Sequence, residues 1–173
     1  MTAEIEGLAE RIAQIEDGRA IERVIYSYGH ALDFDGPETY ADLFTEDAKL
    51  EVQSALLLKA LPELADLADA AQAAQAMLLA KGGIQTQDAI VFSGRLSIIA
   101  FATYAPSTVR SLHVSSQPLV TLLDRDHATA RTYLRIYSHR TGAKPTVDFF
   151  GRYLDELTRT DVGWRISRRI CQP

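Results

Sequence analysis

Residues 26–48, YSYGHALDFDGPETYADLFTEDA, decide how the chain folds, because a helical pattern ends there among a histidine, several carboxylates and a Gly-Pro pair. Upstream, Ile21, Val24, Ile25, Tyr28 and Leu32 recur at three- and four-residue spacing and predict one apolar helix stripe over residues 20–32. Residues 3–17 have helical spacing as well, and Gly18 is expected to separate the two helices. Asp33-Phe34-Asp35-Gly36-Pro37 then reads as a stop followed by a new start, with Pro37 in the first turn and Tyr40, Leu43 and Phe44 on the buried side. Lys49 to Val52 follows as a strand.

Further along, the 55–81 stretch carries Leu57, Leu61, Leu64, Leu67, Ala71, Ala74 and Leu78 on one helical face, with acids early, Lys81 late and Gly82-Gly83 as its end. Ala89 to Phe92 predicts a short strand and Gly94 to about Tyr104 a helix. Beyond them the period changes to two. Thr129, Arg131, Tyr133, Arg135 and Tyr137 alternate with Ala130, Thr132, Leu134 and Ile136, the mark of a strand over 128–139. Val114 to Val120, Val147 to Arg159 and Trp164 to Cys171 complete a meander whose connections are too short for crossovers, so its strands must be antiparallel. Helices first and an antiparallel sheet afterwards predict an α+β domain, a curved sheet roofed by N-terminal helices around a central pocket.

At 173 residues and 47% hydrophobic composition the chain can bury one core, a single domain over 1–173 with 55–81 as a helical insertion. A net charge of −5 without a Lys/Arg run gives no attraction for nucleic acid or an anionic membrane. The acidic start lacks the pattern of a secretory signal, no apolar run is long enough to cross a bilayer, and Cys171 stands alone, so a cytoplasmic protein is expected. His30, His113, His127 and His139 show no metal-binding spacing, and no glycine-rich phosphate cradle or nucleophile elbow is present. Neither a metal nor another cofactor is expected.

Four phrases in series, AIERVIYSYGHALDFDGPETYADLFTEDA, the Gly94–Phe101 helix, LHVSSQPLV and FFGRYLDELTRTDVGWRISRR, resemble the SnoaL-like branch of the nuclear-transport-factor-2-like superfamily. That group includes polyketide cyclases, scytalone dehydratase, lindane dehydrochlorinase and the small subunits of ring-hydroxylating dioxygenases. The resemblance implies a cone-shaped α+β barrel. In its dehydratase and dehydrochlorinase members an aspartate at the end of the first conserved helix pairs with a histidine at the start of a later strand, and the matching positions are Asp33 and His113. An arginine on the dehydrochlorinase's last strand matches Arg169. An aspartate holding one imidazole nitrogen makes the other a better base, and a cation nearby can stabilise developing negative charge. The dehydrochlorinase has a lysine where Tyr28 stands, so the reaction itself stays open between dehydration, isomerisation and cyclisation.

Each residue also has a structural reading. Asp33 can simply end a helix, with Asp35 capping the next. Tyr26, His30 and Asp33 lie opposite the apolar stripe, so a catalytic Asp33 requires the helix to end or unwind near Leu32. Strand parity leaves His113 facing either the pocket or the outside, and places Arg169 on the face opposite Trp164, where it can be a surface ion pair. Tyr28, Tyr133, Tyr137 and Tyr153 can line the pocket and bind substrate, or pack within the sheet. Two functions are carried forward. One is a cofactor-independent enzyme acting on a small, apolar, oxygenated molecule; the other is a non-catalytic ligand-binding or assembly module. Self-association as a homodimer or homotrimer is expected, with the insertion as a packing helix, a lid or an oligomer contact.

Overall fold

The computed structural model describes residues 2–53, 72, 75–103, 109–140, 142 and 144–173. It opens with helix α1, Thr2–His30, continuous through Gly18. The expected break is absent. A mid-helix glycine costs only about 1 kcal/mol, and the neighbouring Asp17 is held on both sides of the carboxylate by Arg159 Nη2 at 2.6 Å and Trp164 Nε1 at 3.1 Å. A π-helical turn, Ala31–Asp35, extends α1, and a five-residue helix α2, Pro37–Ala41, follows with Pro37 at its start. Its N-cap is Gly36, at φ 101°, with no side-chain cap, so Asp35 does not play the capping part expected of it.

Seven strands form one sheet among the described residues: β1 (Phe44–Gln53), β2 (Ile84–Gln85), β3 (Ala89–Ser93), β4 (Val109–Leu122), β5 (His127–Arg140), β6 (Thr146–Thr160) and β7 (Gly163–Gln172). Their order is β2-β3-β1-β7-β6-β5-β4. The β4 to β7 meander is antiparallel as expected. The sheet as a whole is mixed, because β1 lies parallel to β7, with Leu50 opposite Arg169. A long path separates those two strands in sequence, which is what a parallel pair requires. The sheet curves but stays open, with β2 and β4 as its edges. Helix α3, Arg95–Ala102, packs beside β1, β3 and α2. Of the expected 55–81 helix, residues 72 and 75–80 are helical, and 55–71 and 73–74 lie outside the described residues.

The core is built from the faces that periodicity selects. Ile21, Val24, Ile25 and Tyr28 of α1 meet Leu50, Ile90, Phe92, Ile98 and Ile166, all buried. Each such side chain contributes about 1.5–3 kcal/mol on leaving water. Three irregularities bend the β4–β7 meander. On β4 the pairing shifts between Ser116 and Leu119, around Gln117 at φ 53°. On β6 it shifts where Ile136 faces Phe149 and Tyr137 faces Val147. On β7 one extra residue, Ser167, sits between Ile166, opposite Leu157, and Arg168, opposite Glu156. A bulge of this kind reverses the alternation beyond it.

Candidate active site

The site begins with the end of α1. A regular helix would carry Asp33 on from Tyr26 and His30, both exposed. Two features change its surroundings. Strand β4 lies against that flank of the helix, brought close at Gly29, where an added Cβ would overlap the carbonyl oxygen of His113. The turn after His30 also widens, with Gly36 N–H donating to Ala31 O at 3.2 Å across five residues. Asp33 thus faces β4 one turn beyond the glycine. Its Oδ2 accepts the backbone N–H of His113 at 2.6 Å, and its Oδ1 accepts from His113 Nδ1, also at 2.6 Å. A carboxylate only accepts, so the ring donates through Nδ1 and its Nε2 is left as the acceptor.

His113 pairs with Ile136 across the β4–β5 ladder, and directly opposed residues share a face. Both line a cavity of about 960 Å³. The Asp33 side chain is 3% exposed and that of His113 18%, so the carboxylate is shielded while the ring keeps an open edge. Leu32, Phe34, Val52, Met77, Leu78, Phe101, Leu134 and Ile136 make most of the wall apolar.

The remaining expected residues divide. Tyr28, Tyr137 and Tyr153 line this cavity. Tyr133 does not: it is 57% exposed on the outer face of the sheet, as its alternation with buried Thr132 and Leu134 requires. Tyr137 shares the parity of Tyr133, yet reaches the cavity where the β5–β6 pairing shifts. Arg169 is neither a surface ion pair nor a wall residue. The Ser167 bulge turns it to the side of Trp164 and Ile166, where it is completely buried. Its Nε and Nη2 each meet one Asp155 oxygen at 2.7 Å, and its guanidinium lies 4.0 Å from the Tyr28 ring centre and 4.1 Å from that of Tyr153. Its Nη1 has no hydrogen-bond partner among the described residues. Burial opposes the charge, but the Asp155 carboxylate outweighs burial and holds Arg169 above its ordinary pKa.

In front of this pair stands a cluster of phenols. The Tyr40 hydroxyl donates to that of Tyr28 at 2.8 Å, and the Tyr28 and Tyr40 rings meet edge to face with centres 5.0 Å apart. Burial pushes the Tyr28, Tyr40 and Tyr153 hydroxyls above their ordinary range, so they stay protonated and act as neutral donors. Burial likewise pushes the Cys171 thiol up to about 12. Cys171 also lines the cavity and stays protonated.

Two contributors escaped the sequence reading. Gly29 looks like a neutral helix residue, and only the approach of β4 reveals why it lacks a side chain. Lys81 lines the cavity, and its Nζ donates to Phe101 O at 2.7 Å and lies 5.8 Å from that ring's centre. Burial lowers its pKa. Among the described residues no group of histidine, cysteine and carboxylates is arranged to hold a metal, and no helix is long and apolar enough to cross a membrane.

Solved structures share this architecture. An NTF2-like protein with a cystatin-like fold from Novosphingobium aromaticivorans superposes with a TM-score of 0.66 at 21% identity, over 95% of this chain and 86% of its own. The β subunit of a candidate aromatic-ring-hydroxylating dioxygenase from the same organism gives 0.64 at 17%, over 92% and 90%. A candidate scytalone dehydratase, again from Novosphingobium aromaticivorans, gives 0.62 at 19%, over 94% and 87%. At these identities the likeness concerns the fold. None of the curated proteins matches the chain significantly. The SnoaL-like domain model matches residues 13–170, and with that match, the sheet order and the helix-roofed cavity in agreement, the chain belongs to the SnoaL-like domain family.

Proposed function

We propose that the protein is a cofactor-independent enzyme of the lyase or isomerase type, acting on a small, largely apolar molecule that carries a carbonyl or hydroxyl group. The observation that carries this reading is the Asp33–His113 contact at the wall of an apolar cavity. Asp33 fixes the ring so that Nε2 acts as general base. In a dehydration, Nε2 takes a proton from the carbon next to a carbonyl. The resulting enolate expels the hydroxyl on the following carbon, and the imidazolium returns its proton to that oxygen, so that water leaves and the base is regenerated. Tyr28, Tyr137 and Tyr153 supply hydroxyl donors for the carbonyl oxygen, where charge develops. Arg169 serves here as a positioning residue behind Tyr28 and Tyr153, in place of the direct contact with substrate that the family resemblance suggested. Isomerisation or cyclisation would use the same proton transfer without loss of water.

A purely structural role for these groups, as in an assembly module, is less economical. It leaves an oriented imidazole and a shielded carboxylate at a cavity wall without employment. The test uses a panel of cyclic β-hydroxyketones, with elimination followed by the ultraviolet absorbance of the conjugated product. Turnover by the native enzyme that is lost in His113→Ala, with circular dichroism unchanged, supports the proposal. Equal rates in the two proteins, or no elimination above buffer across the panel, overturn it.

A further inference from the structure

The first four turns of α1 project away from the core of their own domain. Asp17 is tied to the sheet through Arg159, at the end where Arg159 N–H also meets Asp126 O of the β4–β5 turn. Every described side chain from Glu4 to Glu16 is exposed. This overhang, about 22 Å of helix, bears Ile5, Leu8, Ile12 and Ile15, at 63%, 56%, 47% and 58% exposure, spaced three and four residues apart along one stripe. At about 100° per residue the stripe points roughly 170° away from the Ile21, Val24, Ile25 and Tyr28 face that α1 buries. The domain's own core therefore cannot cover it. A lone helix of this length is marginal in water, so an apolar stripe on it calls for a partner surface.

That surface exists on the same chain. On the outer face of the sheet, Leu119, Tyr133 and Phe150, the last 78% exposed, stand among Arg131, Arg135 and Arg152. The ladder sets them side by side, with Tyr133 opposite Arg152, Arg135 opposite Phe150 and Leu119 opposite Arg131. A groove of about 240 Å³ runs between Leu119, Arg131, Tyr133 and Arg152. None of the three arginines has a carboxylate partner among the described residues. The overhang offers the opposite charge, with Glu6, Glu10 and Glu16 against Arg11. Arginine and aromatic side chains around a groove are what a protein interface presents at its centre.

We propose that the overhang of α1 docks its Ile5/Leu8/Ile12/Ile15 stripe onto the arginine-aromatic outer sheet face of a second copy of this chain. In a two-fold dimer the contact forms twice, each overhang lying on the other protomer's sheet. Both exposed surfaces are then covered by one association, and the complementary charges fix which face the helix meets.

Light scattering coupled to size exclusion on the full chain at micromolar concentration tests it. The native protein should run as a dimer. Leu8→Glu/Ile12→Glu on the helix and Arg131→Glu/Arg135→Glu on the sheet should each run as a monomer, with circular dichroism showing the fold retained. A photo-crosslinking residue at position 12 should attach to partner peptides containing residues 131–135 or 150–152. A native monomer, a dimer that survives the sheet substitutions, or a crosslink from position 12 to the partner's own overhang overturns the proposal. The last result would mean that the helices pair with each other.

Discussion

Asp33→Asn isolates the role of the carboxylate with almost no change in shape. In the native protein Asp33 accepts two hydrogen bonds from His113, from the backbone N–H and from ring Nδ1, both 2.6 Å long. A hydrogen bond to a charged group contributes about 1.5–3 kcal/mol, and at an RT of about 0.59 kcal/mol this biases the neutral ring toward the Nδ1–H form by roughly tenfold to a hundredfold. Asparagine has one oxygen for these two donors. If its oxygen keeps the backbone N–H, its amide N–H₂ faces Nδ1, which must become the acceptor, and the proton moves to Nε2. If its oxygen turns to the ring, the backbone N–H faces an N–H₂ group and loses its bond, at a cost of about 1–3 kcal/mol in this shielded position. The first arrangement wins, since the ring can change tautomer at little cost and the peptide cannot. Nitrogen-15 spectra of the His113 ring, recorded at alkaline pH where imidazole is ordinarily neutral, should therefore show Nδ1–H in the native protein and Nε2–H in Asp33→Asn. Turnover should fall by about 10² to 10⁴ with KM nearly unchanged, because a proton sits on the nitrogen that must act as base. A native ring protonated at Nε2, or an Asp33→Asn variant that keeps the native tautomer and rate, would refute the reasoning.

Gly29→Ala drives a methyl group into the His113 carbonyl; unfolding by denaturant should show a loss of about 1–3 kcal/mol together with reduced turnover, and an unchanged midpoint would contradict the close approach. Arg169→Met leaves Asp155 buried without its cation and should cost about 3–5 kcal/mol, most of it recovered by the double change Arg169→Met/Asp155→Leu; a mild single variant would mean that the pair is not sealed from water. Partial burial works against ionisation of Asp17, but the bonds from Arg159 and Trp164 prevail and hold its pKa below 3.8. Its contribution is then fully present above the unfolded-state pKa and disappears as pH falls through the lower folded value. The stability gap between native and Asp17→Asn protein should accordingly close below about pH 3.8, and a gap that does not vary with pH would refute the assignment.

What the sequence reveals and what it hides follows from the range of the interactions concerned. The meander was legible because period-two alternation and turn residues are local signals, and the α1 core stripe because helical spacing is local as well. The parallel pairing of β1 with β7 is a contact between segments far apart in the chain that no local pattern records. Parity arguments failed at Arg169 for a physical reason: a single extra residue, Ser167, exchanges the faces of everything after it. Nothing in WRISRR marks where that residue falls. Asp33 is the converse case. Its helical phase pointed away from the core, which was correct, yet away from the core proved to be toward β4, because Gly29 lets that edge strand lie against the helix. The pairing with His113 was expected from family resemblance, and the geometry that permits it was not.

On the proposed reading, the positions of the Arg169–Asp155 and His113–Asp33 pairs account for the different work assigned to them. Arg169 and Asp155 are joined by two parallel bonds, both side chains completely buried, and the Tyr28 and Tyr153 rings lie against the guanidinium. Such a pair has no open edge to offer a substrate, and any proton transfer within it would leave a buried group uncompensated. Asp33 and His113 are joined as closely, but only the carboxylate is sealed, and the ring keeps one nitrogen toward the cavity. Charge created on that ring during a reaction is met by Asp33 behind it without rearrangement, the condition for a base to act in an apolar pocket. Tyr28 and Tyr153 line the cavity and pack against the Arg169 guanidinium, which does not line it, so the wall holds neutral hydroxyls in place of a bare cation. Under the proposed function, the fold thus keeps the sealed charge pair for its own cohesion and turns the imidazole of the other toward the cavity.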